Sequence, residues 1–332
     1  MTHPRPLPTG LGKHFSTAQA LAAGVTRRRL RAKDLPRPFH GARCGPASEG
    51  EDDEDERKSA KEDTSPLAID RERRASTLEL ATAYSTVMPA GSFFVGRTAA
   101  CLHGAPIDPG TELEVAAFLP GHGPRGRGIR PRKVAPHLAT IVEVEGLPVS
   151  SPSSTWAMLG RDLLERELVI VGDALVRIPR DSYGRLRPAE QLTTIAQLRA
   201  EVDAGPRPPS TRLLRIAVVQ VRVGSASPPE TEFRLDAAAA GLPTPMLDYE
   251  VHNSAGRRIG ISELAFPEFR TVVEIEGDHH RVSKTQWHRD ISKYRDYEDA
   301  GWRAVRLPYA QVHDSLVGVS IVGSVLRQRG WR

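Results

Sequence analysis

Ile261-Ser262-Glu263-Leu264-Ala265-Phe266-Pro267-Glu268-Phe269-Arg270-Thr271-Val272-Val273-Glu274-Ile275-Glu276 is the stretch that decides how the last third of this 332-residue chain folds. Two apolar runs flank Pro267-Glu268, which reads as a tight turn between strands. Successive side chains of a strand point to opposite faces. Glu274 and Glu276 therefore share one face, and Val273 and Ile275 the other. The turn brings Glu263 opposite Glu274. Two carboxylates at i and i+2 on an otherwise apolar strand repel each other unless a cation sits between them. Three carboxylates converge on this reading, and such hard oxygen ligands suit Mg²⁺ or Mn²⁺. A cation there polarises a phosphate and lowers the pKa of an attacking water. The bland alternative is a half-exposed sheet whose glutamates face solvent.

Working outward, Pro228 to Gly241 reads as a helix with Pro in its first turn and Gly at its end. Met246 to His252 is a strand, and Asn253-Ser254-Ala255-Gly256 is a turn. Downstream, Ser283 to Ala300 is a helix stopped by Gly301, Trp302 to Leu307 a strand, and Ala310 to Arg329 a last helix. The order is α-β-β-β-α-β-α, that of restriction-endonuclease-like nucleases.

Residues 225–332 resemble the very-short-patch-repair-like endonucleases of the PD-(D/E)XK superfamily. Glu263 on one strand, Glu274-Ile275-Glu276-Gly277 on the next and His280 just after carry the likeness. Asp290, Lys293 and Gly301-Trp302 continue it, and Ser227-Pro228-Pro229-Glu230 is similar to its helical glutamate motif. The resemblance implies a metal-dependent endonuclease acting on DNA phosphodiesters. It implies Glu263, Glu274 and Glu276 as Mg²⁺ or Mn²⁺ ligands, and catalytic parts for these three with His280, Lys293 and Glu230. The sequence departs from the pattern in three places. Glu263 and Glu276 stand where Asp is usual, and no lysine follows the acids directly. Lys293 or His280 is expected to do that lysine's work. His280 would orient water or protonate the leaving oxygen; the other reading is a loop histidine. Glu230 would otherwise salt-bridge Arg234 at i+4.

Residues 1–45 suggest a winged helix-turn-helix. Ser16 or Thr17 caps a short helix, Gly24 breaks it, and Thr26 opens a second helix carrying Arg27, Arg28, Arg29 and Arg31, which are expected to meet DNA phosphates. Leu35 to Gly41 would form a small wing. The alternative is a helical hairpin with a solvated arginine face. Residues 46–66 are nearly devoid of apolar side chains and read as a disordered acidic insertion. Residues 67–205 read as an α/β domain. Strands are expected at Ser92 to Val95, Leu113 to Phe118 and Ile141 to Val144, with helices at Ser76 to Met88, Thr98 to Leu102 and Ser153 to Leu164. His122 to Lys133 reads as a basic, glycine-rich loop. Phe94-Val95-Gly96-Arg97-Thr98-Ala99-Ala100-Cys101-Leu102-His103-Gly104 and Leu168-Val169-Ile170-Val171-Gly172-Asp173-Ala174-Leu175 resemble the AbiEi-type antitoxin family, a likeness that takes in the N-terminal segment. It implies a DNA-binding regulator. The alternative to an active endonuclease is thus an antitoxin-type regulator with an inactive nuclease fold.

The chain is basic, with a net charge of +5, which suits a polyanionic partner. Cys44 and Cys101 are its two cysteines, too few for a disulfide framework. The N-terminus lacks an apolar leader core and no apolar run is long enough to cross a bilayer. A cytoplasmic protein of mixed α/β, multidomain class is expected, with no membrane partner.

Overall fold

The computed structural model describes residues 6–45, 66–207, 209–276 and 293–332. Most of the acidic segment, together with Gly277, His279, His280 and Asp290, lies outside the described residues. Pro66, expected to end that segment, instead begins a helix. The fold is mixed α/β with three sheets. It divides into two compact units.

The first unit comprises Met1–Glu62, Asp70–Leu159 and Asp203–Pro206. Strands β1 (His14–Ser16) and β2 (Ala42–Cys44) form an antiparallel pair. Ser16 caps α1 (Thr17–Ala22) through a capping box with Gln19. Gly24, at φ +83°, ends α1 in a conformation that a side chain would strain. The expected second helix is only a 3₁₀ turn, Arg29–Arg31, and the expected wing at residues 35–41 is a turn that leads into β2. Between Thr26 and Pro36 two apolar side chains, Leu30 and Leu35, anchor the segment in a small core with Phe15, Ala20 and Val25.

Helix α2 (Pro66–Ser85) and helix α3 (Gly96–Leu102) belong to the same unit's five-stranded sheet layer. That sheet has the order β5-β4-β3-β7-β6, where β3 is Ser92–Phe94, β4 Leu113–Phe118, β5 Ile129–Val134, β6 Ile141–Val144 and β7 Leu147–Ser150. The stretch read as a basic loop thus ends in a strand. β5 lies at the sheet's edge, where Pro131 costs no ladder bond on its outer side. Helix α4 (Pro152–Leu159) stops earlier than expected, and a Cβ at the following Gly160 would press on Leu214 at 3.0 Å.

The second unit comprises Asp63–Ile69, Gly160–Val202 and Arg207–Arg332. Helices α5 (Glu165–Val176), α6 (Ile195–Asp203) and α7 (Thr211–Gln220) precede α8 (Pro228–Ala239). Then come β8 (Met246–His252), β9 (Arg258–Phe266), β10 (Thr271–Glu276), a helix whose described part is residues 293–299, β11 (Arg303–Pro308), and α10 (Tyr309–His313) followed by α11 (Ser315–Gln328). We label the helix over 293–299 α9. The expected last helix is split at Asp314.

The sheet order is β11-β10-β9-β8, with β10 and β11 parallel and the other pairs antiparallel. Alternation sorts the strand side chains. Leu264, Phe266, Val273 and Ile275 pack with Phe233 of α8 and with Val319, Val322 and Leu326 of α11. Val251, Ala265 and Val272 pack with Tyr297 of α9. The sheet therefore has apolar cores on both faces.

Candidate active site

The carboxylates cluster where β9 and β10 part. The two strands pair from Thr271↔Phe266 to Val273↔Leu264. One step further, Glu263 stands across from Glu274. There the Glu263 carboxylate itself accepts the Ile275 amide, at 2.6 Å. The turn before β10 is a 3₁₀ turn, Pro267–Phe269, closed by Arg270 in the left-handed region at φ +44°.

Glu274 is buried, and the Lys293 ammonium of α9 donates to its carboxylate at 3.0 Å and to the Ile261 carbonyl at 3.0 Å. Gly260 makes that reach feasible: a Cβ there would meet the Tyr297 hydroxyl at 2.7 Å and the Lys293 stem at 3.2 Å. Glu230, in the first turn of α8, is 2% exposed. It accepts from the Ala226 amide at 2.7 Å and the Ser227 hydroxyl at 2.8 Å. It does not pair with Arg234, which instead donates to Asp173 of α5 at 2.7 Å. The buried Asp173 also takes Thr231 and the Arg222 amide, so it outcompetes Glu230 for that guanidinium.

Burial dominates the electrostatics. It pushes the Glu263 carboxyl up to about 8, with the charge of Glu230 adding to the effect and that of Glu274 less so. It pushes Glu230 up to about 7, with the Ala226 and Ser227 hydrogen bonds opposing. The Tyr297 hydroxyl, also raised by burial and by Glu274, has no hydrogen-bond partner among the described residues.

The structure thus brings Glu230, Glu263, Glu274 and Lys293 into one neighbourhood. Glu276 shares the face of Glu274 but is held by Arg306, which stands opposite Glu274 on β11. As arranged, no three Asp, Glu, His or Cys side chains among the described residues stand close enough to hold an ion. The donor chemistry nonetheless suits a hard divalent cation, and the partnerless Tyr297 hydroxyl adds a neutral oxygen beside Glu274.

Three groups were not foreseen. Asp248, between Leu247↔Leu264 and Tyr249↔Ser262 in the ladder, lies across from Glu263, and its charge acts on Glu230. It sits in the left-handed region at φ +50° and is gripped by Arg180. Tyr297 and Arg306 come from elements whose packing no local pattern announces. The one sequence signal for Asp248 is a carboxylate between Leu247 and Tyr249 in an otherwise half-apolar strand.

In the first unit Arg27, Arg28 and Arg31 are exposed. Arg29 is not an open phosphate ligand: both its terminal nitrogens donate to Asp34, at 2.8 and 2.7 Å.

Compared with protein-family models, with curated proteins and with solved structures, the chain matches none. No helix among the described residues is long and apolar enough to cross a membrane.

Proposed function

We propose that residues 225–332, the C-terminal part of the second unit, are the catalytic core of a divalent-metal-dependent DNA endonuclease, with a restriction-endonuclease-like αβββαβα arrangement. One observation carries this reading. Glu230 of α8, Glu263 of β9, Glu274 of β10 and Lys293 of α9 come from four elements into one neighbourhood, with the Lys293 ammonium 3.0 Å from Glu274. Glu263 and Glu274 would hold Mg²⁺ or Mn²⁺, joined by Glu276 once it leaves Arg306. When bound, the cation would supply charge for a phosphate and acidify a water. Lys293 takes the part of the superfamily lysine from the neighbouring helix, balancing the charge of Glu274 and donating toward the scissile phosphate. Glu230 and Glu263 hold protons near neutral pH, so a cation that displaces those protons binds more tightly as pH rises. His280 remains a candidate for water orientation or leaving-group protonation. In the first unit, Arg27, Arg28 and Arg31, presented on and just before the short turn that follows Gly24, would hold DNA phosphates.

One observation favours the second reading, an antitoxin-type DNA-binding regulator with an inactive nuclease fold. Lys293 occupies Glu274 and Arg306 occupies Glu276, so each carboxylate already has a cation.

The test is plasmid cleavage with Mg²⁺ or Mn²⁺, alongside thermal unfolding with and without metal. The endonuclease reading expects cleavage by the wild type, metal-dependent stabilisation, and loss of both in Glu274→Ala. A bound ion stabilises the fold by mass action. Stabilisation without cleavage supports the regulator. No metal effect on stability up to about 10 mM, where a weak site is about half filled or more, removes the metal site.

A further inference from the structure

We propose that the loop of residues 180–187 is a stacking platform for an unpaired nucleobase, with Tyr183 and Arg185 as its surface. The inference rests on the reading of the neighbouring acid cluster as a site that acts on DNA.

The loop is fastened to the sheet more firmly than a surface loop needs to be. The Arg180 guanidinium donates to both carboxylate oxygens of Asp248 at 2.8 Å, to its carbonyl at 3.1 Å and to Glu250 at 2.7 Å. Arg180 and Arg258 both donate to the Gly184 carbonyl, and Arg258 reaches the Tyr183 carbonyl as well. The Asp181 carboxylate takes the amides of Tyr183 and Arg185, each at 2.9 Å. An isolated bridge between Arg180 and Leu186 closes the base. Gly184 has φ +75°, and a Cβ there would strike the Ile261 side chain of β9 at 2.8 Å, so the loop lies directly on the strand.

All this order serves a tip that buries little. Tyr183 is 73% exposed, with the Arg185 guanidinium 5.6 Å from its ring centroid. A rigid, exposed ring backed by a guanidinium offers a flat π surface on which any base stacks. Ordering entropy has already been lost in the free protein, so little is lost on binding. Exposed Arg177, Arg185 and Arg257 supply charge for the flanking phosphates. The location fits. Asp248, the residue that anchors Arg180, lies across the ladder from Glu263, so the platform is bolted to the strand next to the acid cluster. Bases within a duplex already stack on each other, and the ring therefore selects a base that is unpaired, frayed or turned out.

The experiment measures fluorescence anisotropy of the full-length protein with a labelled single-stranded oligonucleotide and with its duplex, in EDTA so that cleavage cannot contribute. A 2-aminopurine in the single strand reports stacking. Tyr183→Ala should weaken single-strand binding about tenfold or more, abolish the 2-aminopurine quenching and leave the duplex within about twofold. Tyr183→Phe should keep both affinities, and Arg185→Ala should fall between. Tyr183 is exposed, so unchanged thermal unfolding checks that the variants fold. Three results overturn the platform: Tyr183→Ala binding the single strand like the wild type, equal losses on single strand and duplex, or no single-strand binding by the wild type. Wild-type cleavage combined with any of these removes the loop's role alone. Tyr183-dependent stacking without cleavage, and unaltered by Glu274→Ala, keeps the platform and removes the nuclease reading.

Discussion

At the scale of single residues, the site keeps carboxyls protonated where free carboxyls are ionised. Glu263 is pushed from 4.5 up to about 8 and Glu230 from 4.5 up to about 7. Both folded values lie above the unfolded ones, so the folded state binds more protons between them. The stability these protonated groups confer is complete below about pH 4.5 and is lost as pH rises toward 7 and then 8. In metal-free buffer, unfolding midpoints should therefore fall between pH 5 and 8. The slope is at most about 1.4 kcal/mol per pH unit per proton. Glu263→Gln, neutral at every pH, should flatten the fall; a titration identical to wild type would mean that Glu263 is already ionised at pH 5. Gly260→Ala probes the same place sterically. Its methyl would press on the Tyr297 hydroxyl and the Lys293 stem. Cleavage should drop by about a hundredfold, because displacements near an ångström misplace catalytic groups. The melting temperature should fall as well, and cleavage at the wild-type rate would remove Lys293 from the mechanism.

At the scale of elements, helices α5 and α8 are joined through a buried ion pair. Asp173 is 1% exposed and burial raises its carboxyl, against the pull of Arg234. Arg234→Met removes the guanidinium and leaves the carboxylate buried with only Thr231 and the Arg222 amide. Denaturant unfolding should show a loss of about 3–5 kcal/mol. The double variant with Asp173→Leu should recover much of it, and additive losses would rule out pairing as the cause. The same scale shows what the sequence made legible. Alternation, the Pro228 start and the Gly241 and Gly301 stops located α8, β8, β9, β10 and β11 to within a residue or two. The turn at Pro267 correctly set Glu263 across from Glu274. β5 was not legible, because Pro131 and the glycines before it mimic a loop when its parallel pairing with β4 is unknown. The arginine segment after Gly24 was over-read as a helix. Arginine favours helices, and the Arg29 amide does donate to the Thr26 hydroxyl, but the segment makes only a single 3₁₀ turn, Arg29–Arg31. In the site, the partners of Glu274 and Glu276 depend on which helix and strand pack alongside, and strand alternation carries no such information.

At the scale of the molecule, charge is unevenly spread along the chain. Arg28 and Arg31 are exposed on one short turn, whereas Arg29 is committed to Asp34. If these arginines meet DNA, the logarithmic dependence of affinity on salt should lose about 0.9 per phosphate contact removed. Arg28→Ala with Arg31→Ala should thus flatten the slope by nearly 2, while Arg29→Ala should act through stability instead. A duplex-binding titration over a range of salt concentrations decides it; an unchanged slope would leave the turn as a solvated surface. The acidic run Glu49-Gly50-Glu51-Asp52-Asp53-Glu54-Asp55-Glu56 has nothing with which to build a core. Deleting residues 46–65 should leave the melting temperature within about 2 °C, consistent with the small effects of changes outside packed structure. A larger fall in differential scanning fluorimetry would show that the segment packs.

The Glu263 carboxylate that accepts the Ile275 amide makes that amide a gauge of the whole centre. Its proton lies against a group whose charge changes as the carboxyl titrates near neutral pH. In an ¹⁵N-labelled sample the Ile275 resonance should move far downfield when Glu263 ionises and shift again when a cation claims that oxygen. It should remain still when nucleic acid merely rests on the arginine turn of the first unit. One peak in one spectrum would then separate loading of the carboxylates from capture of nucleic acid, without any assay of cleavage.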